Sequence, residues 1–401
     1  MGRTFIVAAK RTAIGAFGGS LKDIPAPRLC AEALKAALAQ SGLEPEAVDQ
    51  TIVGNVLSAG QGMGPGRQAA LYAGLPEEKP AFAVNFLCGS GMKAAMIADT
   101  DIRAGEASVA AAAGMESMSQ APYLVKPAMR FGTRFGHLEL LDSLLTDGLI
   151  DVFHQIHMGV TAENIARKHR ISREQQDRFA LTSQQKAREA IEAGRFRDQI
   201  VPVEAASQKQ TVVFVQDEHP RFGVTLEALA RLKPAFEKDG TVTAGNASGM
   251  NDGASALILA SAEAVKERGL KPLAEIAGHC QVGSDPAFMG LAPVPAVIRL
   301  LEKTGLHLRQ VELLELNEAF AAQSLGVLIE LAEHYGMSVE ELLERTNVNG
   351  GAIALGHPIG ASGNRIVVTL LYEMLRRGAG YGLATLCCGG GMATAMLLRN
   401  T

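Results

Sequence analysis

Short apolar runs, rich in β-branched residues or alanine, alternate along the chain with stretches whose apolar positions recur every three or four residues. Runs of the first kind predict strands over residues 4–9, 51–57, 108–113, 256–260, 311–316, 383–388 and 394–398. Stretches of the second kind predict helices over residues 27–40, 91–104, 292–304, 319–334 and 362–377. Strands that are apolar throughout, rather than alternating, need cover on both faces. The expected fold class is therefore α/β, with sheets held between layers of helix.

The pattern repeats itself once. Gly89-Ser-Gly91 opens a predicted helix that closes at Arg103-Ala-Gly105 and leads into the alanine-rich run at 108–113. Ala361-Ser-Gly363 opens another, which closes at Arg377-Gly378 and leads into 383–388. Two related halves follow, each aiming a helix N-terminus at a shared site. Between them the texture turns polar and loop-rich. A helical stretch over 161–194 carries a capping-box signal, Ser172-Arg-Glu-Gln175, and a stop at Gly194. The expected boundaries are 1–119 with 249–270 for the N-terminal half, 120–248 for an inserted domain, and 271–401 for the C-terminal half.

A chain of 401 residues, 47% hydrophobic and 20% charged, is globular and long enough for more than one core. Its net charge of −4 and lack of like-charge blocks argue against nucleic acid or an anionic membrane surface as partner. No apolar run reaches the length of about 18 residues that a membrane span needs. The N-terminus reads as a strand rather than a signal or transit peptide. Five scattered cysteines are an odd set for a disulfide framework, and reduced thiols in the cytoplasm fit them better.

Three glycine-bounded segments carry candidate chemistry. In Asn85-Phe-Leu-Cys88-Gly-Ser-Gly91 a strand-like run gives way to a helix at a cysteine. A thiol there meets unpaired amides and the positive end of the helix dipole, which favour thiolate. The same amides could hold the oxyanion formed when a thioester carbonyl is attacked. In Gly356-His357-Pro-Ile-Gly the flanking glycine and proline suggest a rigid backbone that aims the imidazole. With an unperturbed pKa near ~6.5, that ring could deprotonate a thiol. Cys387-Cys388-Gly-Gly-Gly391 admits three readings: a metal site, which lacks spaced partner ligands; a strained vicinal disulfide; or one thiol working as general acid and base. Asn317, at the end of the 311–316 run, is either a helix N-cap or a ligand-facing residue at the carboxyl end of a strand.

Other motifs fail. The glycines of Gly60-Gln-Gly-Met-Gly-Pro-Gly66 include Pro65 and lack a strand–turn–helix setting, so no dinucleotide fingerprint is expected. His154-Gln-Ile-His157 has ligand-like spacing without further ligands, and no metal is expected.

Taken together, Cys88-Gly-Ser-Gly-Met-Lys-Ala, Asn317-Glu-Ala-Phe320, Gly-His357-Pro-Ile-Gly and Cys387-x-Gly-Gly-Gly resemble the thiolases, closest to their acetyl-CoA acetyltransferase branch. The likeness runs from Arg11-Thr-Ala-Ile-Gly-Ala-Phe to Gly391-Met392. It implies a five-layered αβαβα core of two similar halves, with the inserted segment capping coenzyme A and contributing oligomer contacts. It implies Cys88 as the acylated nucleophile, His357 as its activator and a ligand of the enolate oxygen, and Cys387 as acid and base. Cys388 becomes a bystander. Asn317 positions a water beside His357, and the amides of Cys88 and Gly389 hold the oxyanion. The residues implied for coenzyme A are His157, Met158, Arg221, Phe236, Ala244, Ser248, Ala319 and Phe320, with Leu149 and Met289 nearby. The implied partners are acetyl-CoA, acetoacetyl-CoA and free coenzyme A as substrates and products, with no cofactor. A cytoplasmic homotetramer, a dimer of dimers using residues 135–153, is implied as well. The stretch between Ala321 and Asn347 is longer than the family leads one to expect.

Overall fold

The computed structural model describes residues 2–132, 135–207 and 210–401. Among the described residues the main sheet has eleven strands, nine of which form its continuous path as two half-sheets. The first contains β1 (Thr4–Thr12), β2 (Gln50–Gly54), β3 (Ala81–Val84), β4 (Val109–Ser117) and β5 (Asn251–Ser261), in the order β3-β2-β4-β5-β1. The second contains β6 (Ala274–Gly283), β7 (Leu313–Leu316), β8 (Tyr381–Cys388) and β9 (Met392–Arg399), in the order β6-β9-β8-β7. Two residue pairs, Phe5–Glu275 and Ile6–Ala274, join β1 to β6 and make the two sheets one continuous ladder.

The second sheet repeats the first strand for strand. β2 runs parallel to β4, and β5 and β1 follow antiparallel. Likewise β7 runs parallel to β8, and β9 and β6 follow antiparallel. Even β3, parallel to β2, has a counterpart in the parallel bridge between Leu314 and Thr346. The echo read from the sequence is thus an echo in the fold.

Helices make the other three layers. α1 (Ala26–Ser41) and α2 (Pro65–Tyr72) cover the outer face of the first sheet, where Leu29, Ala33, Leu34 and Ala37 of α1 are fully buried. α6 (Pro293–Thr304) and α7 (Ala321–Tyr335) lie over the outer side of the second half. Between the sheets run α3 (Ser90–Ala104) and α8 (Ile359–Arg377), packed on each other and on both sheets. They cross in backbone contact. A Cβ on Gly91 would stand 2.9 Å from the Asn364 nitrogen, and one on Gly363 would stand 2.4 Å from the Met92 nitrogen. The paired small-residue signatures therefore serve a close helix crossing, which sets the starts of α3 and α8 side by side.

The segment from 118 to 250 lies between β4 and β5. It holds α4 (Met158–His169), α5 (Arg173–Glu192) and three small ladders, such as Ile150–Asp151 with Ile156–His157. The helical stretch expected over 161–194 is two helices, the first ending where Arg170 takes φ +53 and the second opened by the expected capping box of Ser172 and Gln175. α2 does follow the glycine-rich segment at 60–66, contrary to expectation. The long stretch after Ala321 ends in an additional short helix, Val339–Arg345, capped by Ser338 and Glu341. No described helix is long and apolar enough to cross a membrane.

Candidate active site

Leaving β3, the chain makes a tight turn before α3. The Leu87 amide donates to Asn85 Oδ1 (2.9 Å), while Ser90 Oγ accepts from the Phe86 amide (2.8 Å) and donates to the Leu87 carbonyl (2.6 Å). These contacts hold Leu87 at φ +49, a left-handed conformation that costs a leucine on the order of 1–3 kcal/mol. The turn delivers Cys88 to the mouth of α3. Its sulfur receives N–H groups from Gly389 and from its own backbone. Burial nevertheless pushes the thiol up to about 11, the Glu116 carboxylate adding to the effect. The resting group is a thiol, and the thiolate expected from the helix dipole is not reached: desolvation outweighs two amides.

His357 opens the approach to α8. Its amide donates to Asn251 Oδ1 (2.9 Å), and Gly356, at φ +102, lies so close to Asn251 that a Cβ would meet it at 2.6 Å. Ser362 Oγ donates to the Pro358 carbonyl (2.9 Å), so the 2.6 Å contact between Ser362 Oγ and His357 Nδ1 needs the proton on Nδ1. That leaves Nε2 with a free lone pair. Burial, and then the Arg365 cation, push the imidazole down to about 3. Cysteine and histidine therefore rest as two neutral groups rather than as an ion pair.

Asn317 follows β7 directly and caps no helix; the next one begins at Ala321, with Phe320 at its N-cap. Asn317 Nδ2 instead lies 3.5 Å from His357 Nε2. Beyond Asn317, Cys387 and Cys388 close β8. Cys387 lines the cavity that also holds Cys88 and His357, and burial raises its thiol well above the usual range. Cys388 faces away, and a Cβ on Gly89 would lie 2.7 Å from its sulfur. Neither forms a disulfide.

The cavity has a volume of about 470 Å³. Leu149, His157, Met158, Arg221, Phe236, Ala244, Ser248, Met289, Ala319 and Phe320 all line it. His157 stacks on Phe236 (ring centroids 4.6 Å apart), and Phe236 meets Phe320 edge-on at 6.0 Å. His157 Nδ1 accepts from the Gly159 amide, which makes Nε2 its donor. Arg221 is exposed, at the mouth. The neighbouring His154 bonds Asp151 instead, so the His154–His157 spacing converges on nothing. Among the described residues no cluster of three metal-ligating side chains occurs.

Family models match the chain in two blocks: the thiolase N-terminal domain over residues 4–263 and the thiolase C-terminal domain over 270–400. The chain belongs to the thiolase family. An acetyl-CoA acetyltransferase of Pseudomonas aeruginosa is 55% identical over 396 residues, covering 98% of each chain. Among solved structures, the Bacillus anthracis acetyl-CoA acetyltransferase superposes with a TM-score of 0.95 at 44% identity, covering 100% of this chain and 99% of that one. Human mitochondrial 3-ketoacyl-CoA thiolase in complex with CoA gives 0.93 at 47% identity, covering 100% and 98%.

Several parts of this thiolase site escaped the sequence. Phe17, Met118, His219, Met250 and Ile359 also line the cavity. His219 sits on a loop with no periodic signal; its one trace is Gly249, where a Cβ would lie 2.3 Å from the ring. Glu116, fully buried beneath the site, accepts from the amides of Val56, Leu57 and Gly360 and from Asn55 Nδ2, all at 3.0–3.2 Å. A lone glutamate inside an apolar strand gives no hint of four donors gathered from two distant loops.

Proposed function

We propose that this thiolase catalyses the reversible Claisen condensation of two acetyl-CoA molecules to acetoacetyl-CoA and coenzyme A, through an acetyl-cysteine on Cys88. The observation that carries the reading is a single cavity lined by Cys88, His357 and Cys387, residues far apart in the chain. The sulfur of Cys88 attacks the acetyl carbonyl while its proton passes to His357 Nε2. The amides of Cys88 and Gly389, already directed at the sulfur, receive the oxyanion. The raised thiol of Cys387 gives its proton to the departing coenzyme A thiolate, which leaves Cys387 as a strong base. A second acetyl-CoA then loses an α-proton to that base. Its enolate oxygen lies against protonated His357 and a water positioned by Asn317. The carbanion attacks the acetyl group, Cys88 leaves, and His357 returns the proton. No cofactor enters this scheme.

In this reading residues 120–248 cap the coenzyme A arm, with His157, Phe236 and Ser248 along the pantetheine and Arg221 at the adenine end. Exposed Phe131, Phe135, Leu138 and Leu140 on that segment support assembly into a homotetramer, and five unpaired cysteines support a reducing cytoplasm. Radiolabelled acetyl-CoA should acetylate Cys88 in the native enzyme. Label retained by Cys88→Ala would refute the assignment. A broader 3-ketoacyl-CoA thiolase is the second reading, favoured by the likeness to the human mitochondrial enzyme. Thiolysis rates from C4 to C10 substrates separate the two, with a steep fall beyond C4 expected.

A further inference from the structure

Four side chains interlock behind the cavity. Glu315 and Asn317 are two residues apart at the end of β7 and so share its face, while Ser362 and Arg365 are one turn apart on α8. Ser362 holds His357 Nδ1 at 2.6 Å, and Arg365 Nη2 stands 3.5 Å from Asn317 Oδ1. One helix face therefore grips both members of the Asn317–His357 contact from behind.

Arg365 is held in an unusual way. It is 1% exposed, yet its Nε and Nη1 atoms lack hydrogen-bond partners among the described residues. Its nearest carboxylate oxygen, Glu315 Oε2, lies 3.8 Å away and is likewise unpartnered. The Arg11–Asp217 pair and Glu318 are its other charged neighbours. A buried guanidinium with so loose a counter-ion stabilises a fold poorly, and an apolar side chain of similar volume is often neutral or better in such a place. Stability alone gives little reason for a cation here; the contact with Asn317 gives one.

We propose that Arg365 is a positioning residue for the condensation, its N–H fixing the Asn317 amide so that Oδ1 faces the helix and Nδ2 faces His357. The proposal rests on the thiolase reading of the site. Without the guanidinium, the Asn317 amide can turn over, and its oxygen then accepts from protonated His357 Nε2–H in competition with the enolate oxygen. The enolate then loses a donor that matters in the transition state and not in substrate binding, so kcat suffers while KM does not. The cation also disfavours imidazolium, so its removal raises the His357 pKa.

The test is thiolysis of acetoacetyl-CoA by Arg365→Met and Arg365→Lys, with kcat and KM measured across pH. Arg365→Lys keeps the charge and loses the planar fork; kcat is expected to fall about tenfold or more with KM within about twofold. Arg365→Met should show the same fall, and its acid limb should move to higher pH while that of the lysine variant stays in place. Should the methionine variant not fold, the lysine variant decides on the kcat-against-KM split alone. Folded variants with wild-type kcat, or with KM raised and kcat unchanged, would overturn the role. Wild-type protein that neither cleaves acetoacetyl-CoA nor takes acetyl onto Cys88 would instead overturn the thiolase reading.

Discussion

Cys387 and Cys388, adjacent at the end of one strand, face opposite ways: the first enters the cavity that Cys88 and His357 line, the second lies against the backbone of Gly89. Two neighbouring thiols thus have unlike surroundings, and on the proposed mechanism unlike tasks. Cys387→Ala should lose about 10²–10⁴-fold in kcat, as removal of a general acid and base does. Cys388→Ala should keep kcat within a few-fold. Gly89→Ala, whose Cβ would sit 2.7 Å from the Cys388 sulfur, should be strongly impaired, and Cys388→Ala should restore part of the loss in the double variant. Steady-state kinetics on the four proteins checks this, and absence of any rescue would contradict the packing.

The neutral resting pair has a pH signature. With Cys88 pushed up to about 11, its thiolate fraction below that pH grows tenfold per unit. Alkylation of Cys88 by iodoacetamide, followed by mass spectrometry without substrate, should therefore climb with unit slope from pH 7 to beyond 9. A plateau already reached below pH 8 would mean a preformed thiolate–imidazolium pair.

Much of the fold was legible because its causes are local. Apolar runs gave seven of the nine core strands, and the repeated glycine signatures exposed the two halves. β3 was missed because it is a four-residue edge strand with Phe82 and Ala83 exposed, and β6 because Gly278, His279 and Gln281 break its apolar run around a bulge. Cys88, His357 and Cys387, which line one cavity, stand out in the sequence because each lies among glycines that a strand or helix end requires. Their ionisation was not legible. The helix dipole is visible in a sequence, whereas the desolvation that outweighs it depends on everything folded around the sulfur. Arg365 reads as an ordinary polar position on a helix until the fold buries it.

Gly159 fixes the aromatic wall of the cavity. A Cβ there would lie 2.2 Å from the Phe236 ring, which must then leave its stack on His157. Gly159→Ala should raise KM for the thioester about tenfold or more with kcat much less affected, because a uniform binding contact is lost. Cys88 alkylation should stay at the wild-type rate. A kcat defect at unchanged KM would place the wall's contribution in the chemistry instead.

Glu116 gives a prediction about stability with a defined pH dependence. Its Oε1 accepts from Asn55 Nδ2 and the Leu57 amide, and its Oε2 from the amides of Val56 and Gly360. In Glu116→Gln the new amide group must face two N–H donors whichever way it turns, which should cost about 1–3 kcal/mol. Burial raises the Glu116 carboxyl to about 8 from its unfolded value near 4.5. The wild-type stabilisation is then fully present below pH 4.5 and declines as pH rises towards 8, while glutamine does not titrate. The unfolding free energy of the wild type minus that of the variant should accordingly be highest near pH 5 and fall, through zero, towards pH 8. Denaturant titrations at both pH values decide it: a difference that rises with pH would show that the four donors, rather than burial, govern this carboxylate.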